Sequence, residues 1–172
     1  MDGANSLAIL VIVFPLGATF TEVKVLEARA AIASGACEVD MVMNIGAFKS
    51  GDELFIAEDI VSVVNAASGS LVKVILEILI LSKNETGRAC LLSLESGAAF
   101  VKICTGFGYG GASVEAVKIM RRTVGFDIGV KANGGVLNYK DALAMIEAGA
   151  NRLGTSAPVA IISGQMGEEC QK

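Results

Sequence analysis

Histidine is absent from the 172-residue sequence, and that absence removes more chemistry than any other feature of the composition. Without imidazole there is no Ser-His-Asp or Cys-His triad, no HExxH zinc site and no histidine acid–base catalysis. Any catalysis must fall to lysine, carboxylate, tyrosine or the backbone. The four cysteines, Cys37, Cys90, Cys104 and Cys170, show no CxxC spacing. This argues against a disulfide framework or a zinc knuckle and leaves them as small apolar fillers. A net charge of −4 offers no basic face for nucleic acid. No Lys or Arg opens the chain, "LAILVIVFPLG" is broken by Pro15, and "LVKVILEILIL" carries Lys73 and Glu77. Neither a signal peptide nor a membrane span is expected. The chain reads as a soluble cytoplasmic protein with no nucleic-acid or membrane partner.

What is present is Ala, Val, Ile, Leu and Gly: 53% of residues are hydrophobic and 20 are glycine, with few aromatics and two prolines. Buried parallel strands packed under helices need that mixture. The length suits one domain, residues 1–172, with a substantial core. Three segments repeat in pattern: "SGACEVD", "SGAAFVK" and "AGANRLG". In each, a helical stretch ends at a glycine (Gly35, Gly97, Gly149), the usual left-handed cap, and a short strand follows. Five residues beyond those glycines stand Asp40, Lys102 and Gly154. Periodicity predicts helices at about 21–34, 53–67, 84–96, 113–122 and 138–148. Strands are predicted near 8–14, 38–43, 71–77, 99–103, 128–131 and 152–154.

Alternating strands and helices imply an α/β protein with a parallel sheet, either doubly wound or a (β/α)8 TIM-type barrel. The barrel is favoured because its active site collects residues from the C-terminal ends of several strands, where the unusual residues here fall. The count is six strands, so an incomplete barrel of about six β-α units is expected. Alternation puts Glu38 on the face of Asp40 and Arg152 on the face of Gly154, which would let Glu38 and Arg152 pair. Lys73 reads as opening its strand in a structural role, and Glu77 as ending it in support of a site.

"FVKICTGFGYGG" and "GVKANGG" each run from an apolar strand through a lysine into a glycine turn. Burying an ammonium is costly unless it is paired or neutral. Lys102 and Lys131 end successive strands about 4.8 Å apart, within reach of one pocket. An amine of ordinary pKa ~10.4 is mostly protonated near neutrality. A second cation and partial desolvation lower that value, so the pair reads as a Schiff-base nucleophile with its activator. Asp40 is a candidate proton shuttle. Glycine turns at 105–108, 133–135 and 154–156 suit a phosphate held by backbone amides. Gly106, Gly108 and Gly111 also spell the dinucleotide fingerprint, but the next strand ends in Lys131 rather than an acid.

From about Val11 to Ile162 the sequence resembles the deoxyribose-phosphate aldolase family, cofactor-free class I aldolases on a (β/α)8 barrel. "FPLGAT" with "TEVKVLEA", "EVDMVMNIGAFKSGD", "VKVILE", "FVKICTGFG", "GVKANGG" and "RLGTSA" look like that family's third to eighth units. The resemblance implies cleavage of 2-deoxy-D-ribose 5-phosphate to acetaldehyde and D-glyceraldehyde 3-phosphate, with no metal. It matches Lys102 to the Schiff-base lysine of a VKTSTGF motif, Lys131 to the activating lysine and Asp40 to the proton relay. Gly106, Gly134, Gly135, Gly154 and Ser156 stand where the family holds phosphate.

Ile103 and Cys104 replace the usual Thr-Ser, Asn133 stands for a small residue, and Pro158 brings no N–H beside the phosphate turn. Nothing matches the family's first two β-α units. The expectation is therefore self-association through open apolar strand edges, at a mean hydropathy of +0.61, and weak or no activity. The partners expected are small phosphorylated sugars, aldehydes and further copies of the chain. A non-catalytic barrel that binds sugar phosphate or only assembles is the alternative, and a dinucleotide-binding domain a more distant one.

Overall fold

The three repeated segments fold into the same hydrogen-bonded joint. In a computed structural model, which describes residues 8–108 and 110–169, Gly35, Gly97 and Gly149 take φ values of +95°, +83° and +111°. A side chain is disfavoured in that left-handed region. The amide of the following alanine reaches back under the glycine: Ala36 to Ala31 at 3.1 Å, Ala98 to Ser93 and Ala150 to Met145 at 3.0 Å. These are the outer bonds of Schellman motifs. One residue later the chain enters the sheet, Cys37 donating to Ala8, Ala99 to Val72 and Asn151 to Val130 at 2.8, 2.8 and 2.9 Å. The sequence repeat is thus a repeated device for turning a helix into a strand.

The elements in order are β1 (Ile9–Ile12), α1 (Thr21–Ala33), β2 (Glu38–Val42), α2 (Ile45–Lys49), α3 (Glu53–Ala66), β3 (Leu71–Ile75), a 3-10 turn (Ile78–Ile80), α4 (Lys83–Glu95), β4 (Phe100–Lys102), α5 (Val114–Val124), β5 (Gly129–Asn133), α6 (Tyr139–Glu147), β6 (Arg152–Gly154) and α7 (Pro158–Glu169). Asn44, Asp52, Ser113 and Asn138 cap α2, α3, α5 and α6 by accepting from the amides of Ala47, Phe55, Ala116 and Asp141. Each such cap is worth about 1 kcal/mol.

The chain divides into two compact units, Met1–Ile75 with Leu92–Phe100, and Leu76–Leu91 with Val101–Lys172. In the first, β1, β2 and β3 pair in parallel, with Val11 beside Asp40 and Asp40 beside Lys73. Every residue of β2 is buried, as expected of a central parallel strand. Beneath α1 and α3 the fully buried Lys24 ammonium lies 2.6 Å from Asp59 and 3.1 Å from the Val42 carbonyl. Thr21 donates to the other Asp59 oxygen at 2.8 Å.

In the second unit, β5 and β6 are parallel, with Lys131 beside Arg152 and Asn133 beside Gly154. The Ile103 amide ties the end of β4 to the Lys131 carbonyl at 3.2 Å. Val101, Ile103, Val130 and Ala132 bury with Val117 and Met120 of α5.

Boundaries differ from the sequence expectation in ways that matter. The strand expected over 71–77 ends at Ile75 and places Lys73 in its middle, while the one expected to end at 131 continues to Asn133. Helix α7 was not anticipated. It begins at Pro158, a position where the missing N–H would have had no helical partner anyway. No helix among the described residues is long and apolar enough to cross a membrane.

Candidate active site

Lys102 closes β4 and Lys131 lies in β5, and both are almost buried, at 6% and 8% exposed. They line one cleft of about 280 Å³ with Asn133, Gly134, Gly135, Gly154, Thr155 and Ser156. Local sequence makes this room. Alternation puts Lys131 and Asn133 on one face of β5, and Gly154 is the register partner of Asn133. A Cβ at Gly154 would lie 2.8 Å from the Asn133 Cβ and 3.6 Å from the Lys131 Cε, so glycine leaves the lysine its path.

Gly134 and Gly135 turn with φ of +81° and +76°. Gly111 packs so closely on that turn that a Cβ added there would overlap the Gly134 oxygen, and the Ala112 amide bonds the same oxygen at 2.8 Å. Thr155 links the two glycine turns: its hydroxyl donates to the Val136 carbonyl at 2.6 Å and accepts from the Ala157 amide at 2.9 Å. Two lysines and backbone turns line the cleft, with no acid among its described lining residues. That arrangement suits an anionic ligand carrying an electrophilic carbon.

The segment after Lys102 is held from both sides. Asn133 donates through Nδ2 to the Cys104 carbonyl at 2.8 Å and accepts from the Cys104 amide at 3.4 Å. Glu77 accepts from the amide and hydroxyl of Thr105. Burial pushes the Cys104 thiol up; the Gly106 amide counters this, the Glu77 charge adds to it, and Lys102 and Asn133 again oppose it.

Among the residues singled out from sequence, Lys102, Lys131, Gly134, Gly135, Gly154 and Ser156 come together on this cleft. Gly106 is not part of its lining and sits on the turn after β4 with φ +85°. Asp40 belongs to the first unit, in mid-strand rather than at a strand end. There it meets Lys73 at 2.7 Å, and Lys73 also meets Glu38 at 2.6 Å. Glu38, which alternation offered to Arg152, meets Lys73 within the first unit. Lys73 keeps its structural role, but it lies fully buried in the middle of β3 rather than opening it. Sequence reasoning also passed over Thr105 and the clamping role of Asn133. The signal available for Lys73 was a lone charge flanked by Val72 and Val74.

Strand and helix alternation of the (β/α)8 barrel type, in six β-α units, with Lys102 closing β4 and Lys131 in the middle of β5 on one cleft, defines a lysine-centred barrel-type protein. The model of the DeoC/LacD family aldolases matches residues 7–167, and the chain belongs to that family. It is 56% identical over 161 residues to the deoxyribose-phosphate aldolase of Thermococcus gammatolerans, covering 92% of this chain and 72% of that one. The solved aldolase QR15 superposes with a TM-score of 0.92 at 36% identity, over 99% of this chain and 77% of that one. A tetrameric deoxyribose phosphate aldolase from Aeropyrum pernix matches with a TM-score of 0.84 at 31% identity, over 92% and 67% of the two chains.

Proposed function

We propose that this chain is a class I aldolase, a carbon–carbon lyase cleaving 2-deoxy-D-ribose 5-phosphate to acetaldehyde and D-glyceraldehyde 3-phosphate. The observation that carries the reading is the shared cleft of Lys102 and Lys131 beside the Gly134, Gly135 and Gly154 turns. The Lys102 amine adds to the aldehyde carbon and water leaves, giving an iminium. The iminium accepts the electron pair of the breaking carbon–carbon bond as the sugar hydroxyl gives up its proton and D-glyceraldehyde 3-phosphate departs. The resulting enamine takes a proton, and water releases acetaldehyde and the free amine.

Lys131, on the same cleft, is proposed as the activating lysine beside Lys102. Gly134, Gly135, Gly154, Ser156 and Gly106 are proposed to receive the phosphate. Asp40 keeps the proton-relay role on its motif match, and its ion pair with Lys73 lies within the first unit. The proposal treats residues 1–172 as one partial barrel domain acting as a homo-oligomer. Its oligomeric part is supported by the tetrameric relative and by the exposure of Leu10 and Val11 on β1.

Incubation with acetaldehyde and borohydride, followed by peptide mass analysis, tests the chemistry. A two-carbon group is expected on Lys102 alone. A folded protein left unlabelled at Lys102 would sink the reading and leave a barrel that binds sugar phosphate without turning it over. Preference for deoxyribose 5-phosphate over deoxyribose tests the phosphate site, and equal affinity for the two would remove it.

A further inference from the structure

Glu77 is built differently from the other buried acids. Asp59 is paired with Lys24, and Glu38 and Asp40 share Lys73. Glu77, 7% exposed, spends Oε2 on Thr105, accepting from its amide at 3.0 Å and its hydroxyl at 2.7 Å. Its Oε1 is the one buried side-chain polar atom among the described residues without a hydrogen-bond partner. A buried carboxylate oxygen without a donor is costly, so packing alone gives no reason for an acid here.

The backbone adds a second anomaly. Glu77 has φ +51° and ψ +52°, a left-handed conformation that residues with long side chains rarely adopt. Such strain persists where the surroundings impose it, and it concentrates at working sites. Here the surroundings are visible. The Leu76 amide bonds the Lys102 carbonyl at 3.0 Å and the Ile78 amide bonds the Ile103 carbonyl at 3.1 Å. The left-handed turn between them lets both amides bond while the carboxylate reaches Thr105. The Thr105 hydroxyl, donating to Glu77, accepts in turn from the Phe107 amide at 3.2 Å. One carboxylate therefore fixes residues 105–107, directly after the lysine strand.

We propose that Glu77 is a positioning residue of the aldolase site: through Thr105 it locks the turn that follows Lys102 and so fixes where the Lys102 amine meets the carbonyl carbon. The inference rests on the aldolase reading above. Misplacement of a reacting group by about 1 Å costs on the order of 100-fold in rate, which sets the size of the effect.

The test uses Glu77→Gly, because glycine accepts this φ without strain and loses the carboxylate. Folding is preserved by design, and a thermal melt checks it. Two readouts are taken: hydrogen exchange of the Thr105 and Phe107 amides, and the rate of two-carbon labelling of Lys102 by acetaldehyde and cyanoborohydride. Glu77→Gly should speed exchange at both amides and slow labelling by about 100-fold. Glu77→Gln, which keeps one acceptor oxygen for Thr105, should recover most of both. Adding Thr105→Val to Glu77→Gly should cost little more, since the two act as one unit.

Unchanged exchange at Thr105 and Phe107 would overturn the proposal, as would wild-type labelling in folded Glu77→Gly. Failure of the aldolase reading looks different. Lys102 would stay unlabelled in the wild type, while the exchange comparison would still accept or reject the hold on the turn.

Discussion

Replacing Lys73 by Met keeps the unbranched apolar stem and removes the ammonium. That ammonium is fully buried, 2.6 Å from Glu38, 2.7 Å from Asp40 and 6.0 Å from the centre of the Phe100 ring. Register explains the cluster: Asp40 lies beside Lys73 across β2 and β3, and Glu38 is the preceding residue on the same face. The variant takes this ammonium from two carboxylates that are both almost inaccessible to water. Removing one member of a buried ion pair costs about 3–5 kcal/mol.

Two carboxylates lose the same partner here, so the upper end, about 5 kcal/mol, is expected. For a chain of this size each kcal/mol moves Tm by about 2–4 °C, giving a fall of roughly 10–20 °C. Urea unfolding and a thermal melt measure both figures. A triple variant, Lys73→Met with Asp40→Asn and Glu38→Gln, removes all three charges and should recover several kcal/mol. A loss below about 1 kcal/mol for Lys73→Met, or a triple variant no more stable than the single one, would refute the reasoning.

Lys131→Leu should slow acetaldehyde labelling of Lys102 by about 100-fold or more; an unchanged rate would mean that the two lysines are not coupled. Gly154→Ala places a methyl 2.8 Å from the Asn133 Cβ, so a loss of about 1–3 kcal/mol in urea unfolding is expected, together with slower labelling of Lys102. A neutral effect on both would show that the cleft wall yields. Burial pushes the Cys90 thiol up to about 12 and also raises Cys104, whereas Cys37 is exposed. The thiolate is the reactive form, so iodoacetamide near pH 8 should modify Cys37 in the folded protein and reach Cys90 and Cys104 only on unfolding. Peptide mass mapping of the alkylated protein checks this, and Cys90 reacting as fast as Cys37 would contradict it.

The β-α rhythm was legible because the joint that produces it is local. Gly35, Gly97 and Gly149 need a left-handed φ, and the alanine amide that follows each closes the helix within a few residues. Counting forward from such a glycine lands on Asp40, Lys102 and Gly154 without any knowledge of the fold. The ends of strands were less legible, because tertiary bonds set them. "LVKVILEIL" reads as one apolar run, yet the chain leaves the strand at Ile75 and turns left-handed at Glu77, where the flanking amides bond Lys102 and Ile103. The partners of Lys73 were hidden for a related reason: they lie on β2, and register across two strands is not written in either one.

Asn133 carries the same lesson into the site. In sequence, Cys104 and Asn133 are separate departures from the family's pattern, one shortly after Lys102 and one before a glycine turn. In space they are a single contact. The Asn133 amide spans the Cys104 backbone as donor and acceptor, and the Cys104 thiol donates to the Asn133 carbonyl at 3.4 Å. A carboxamide able to bond both the N–H and the C=O of one residue continues the ladder between adjacent strands where β4 itself has ended. The wider residue at 133 is admitted because its register partner, Gly154, has no side chain. The two departures therefore act together on the segment that follows Lys102: Asn133 clamps Cys104 from the β5 side, while Glu77 holds Thr105 from the other.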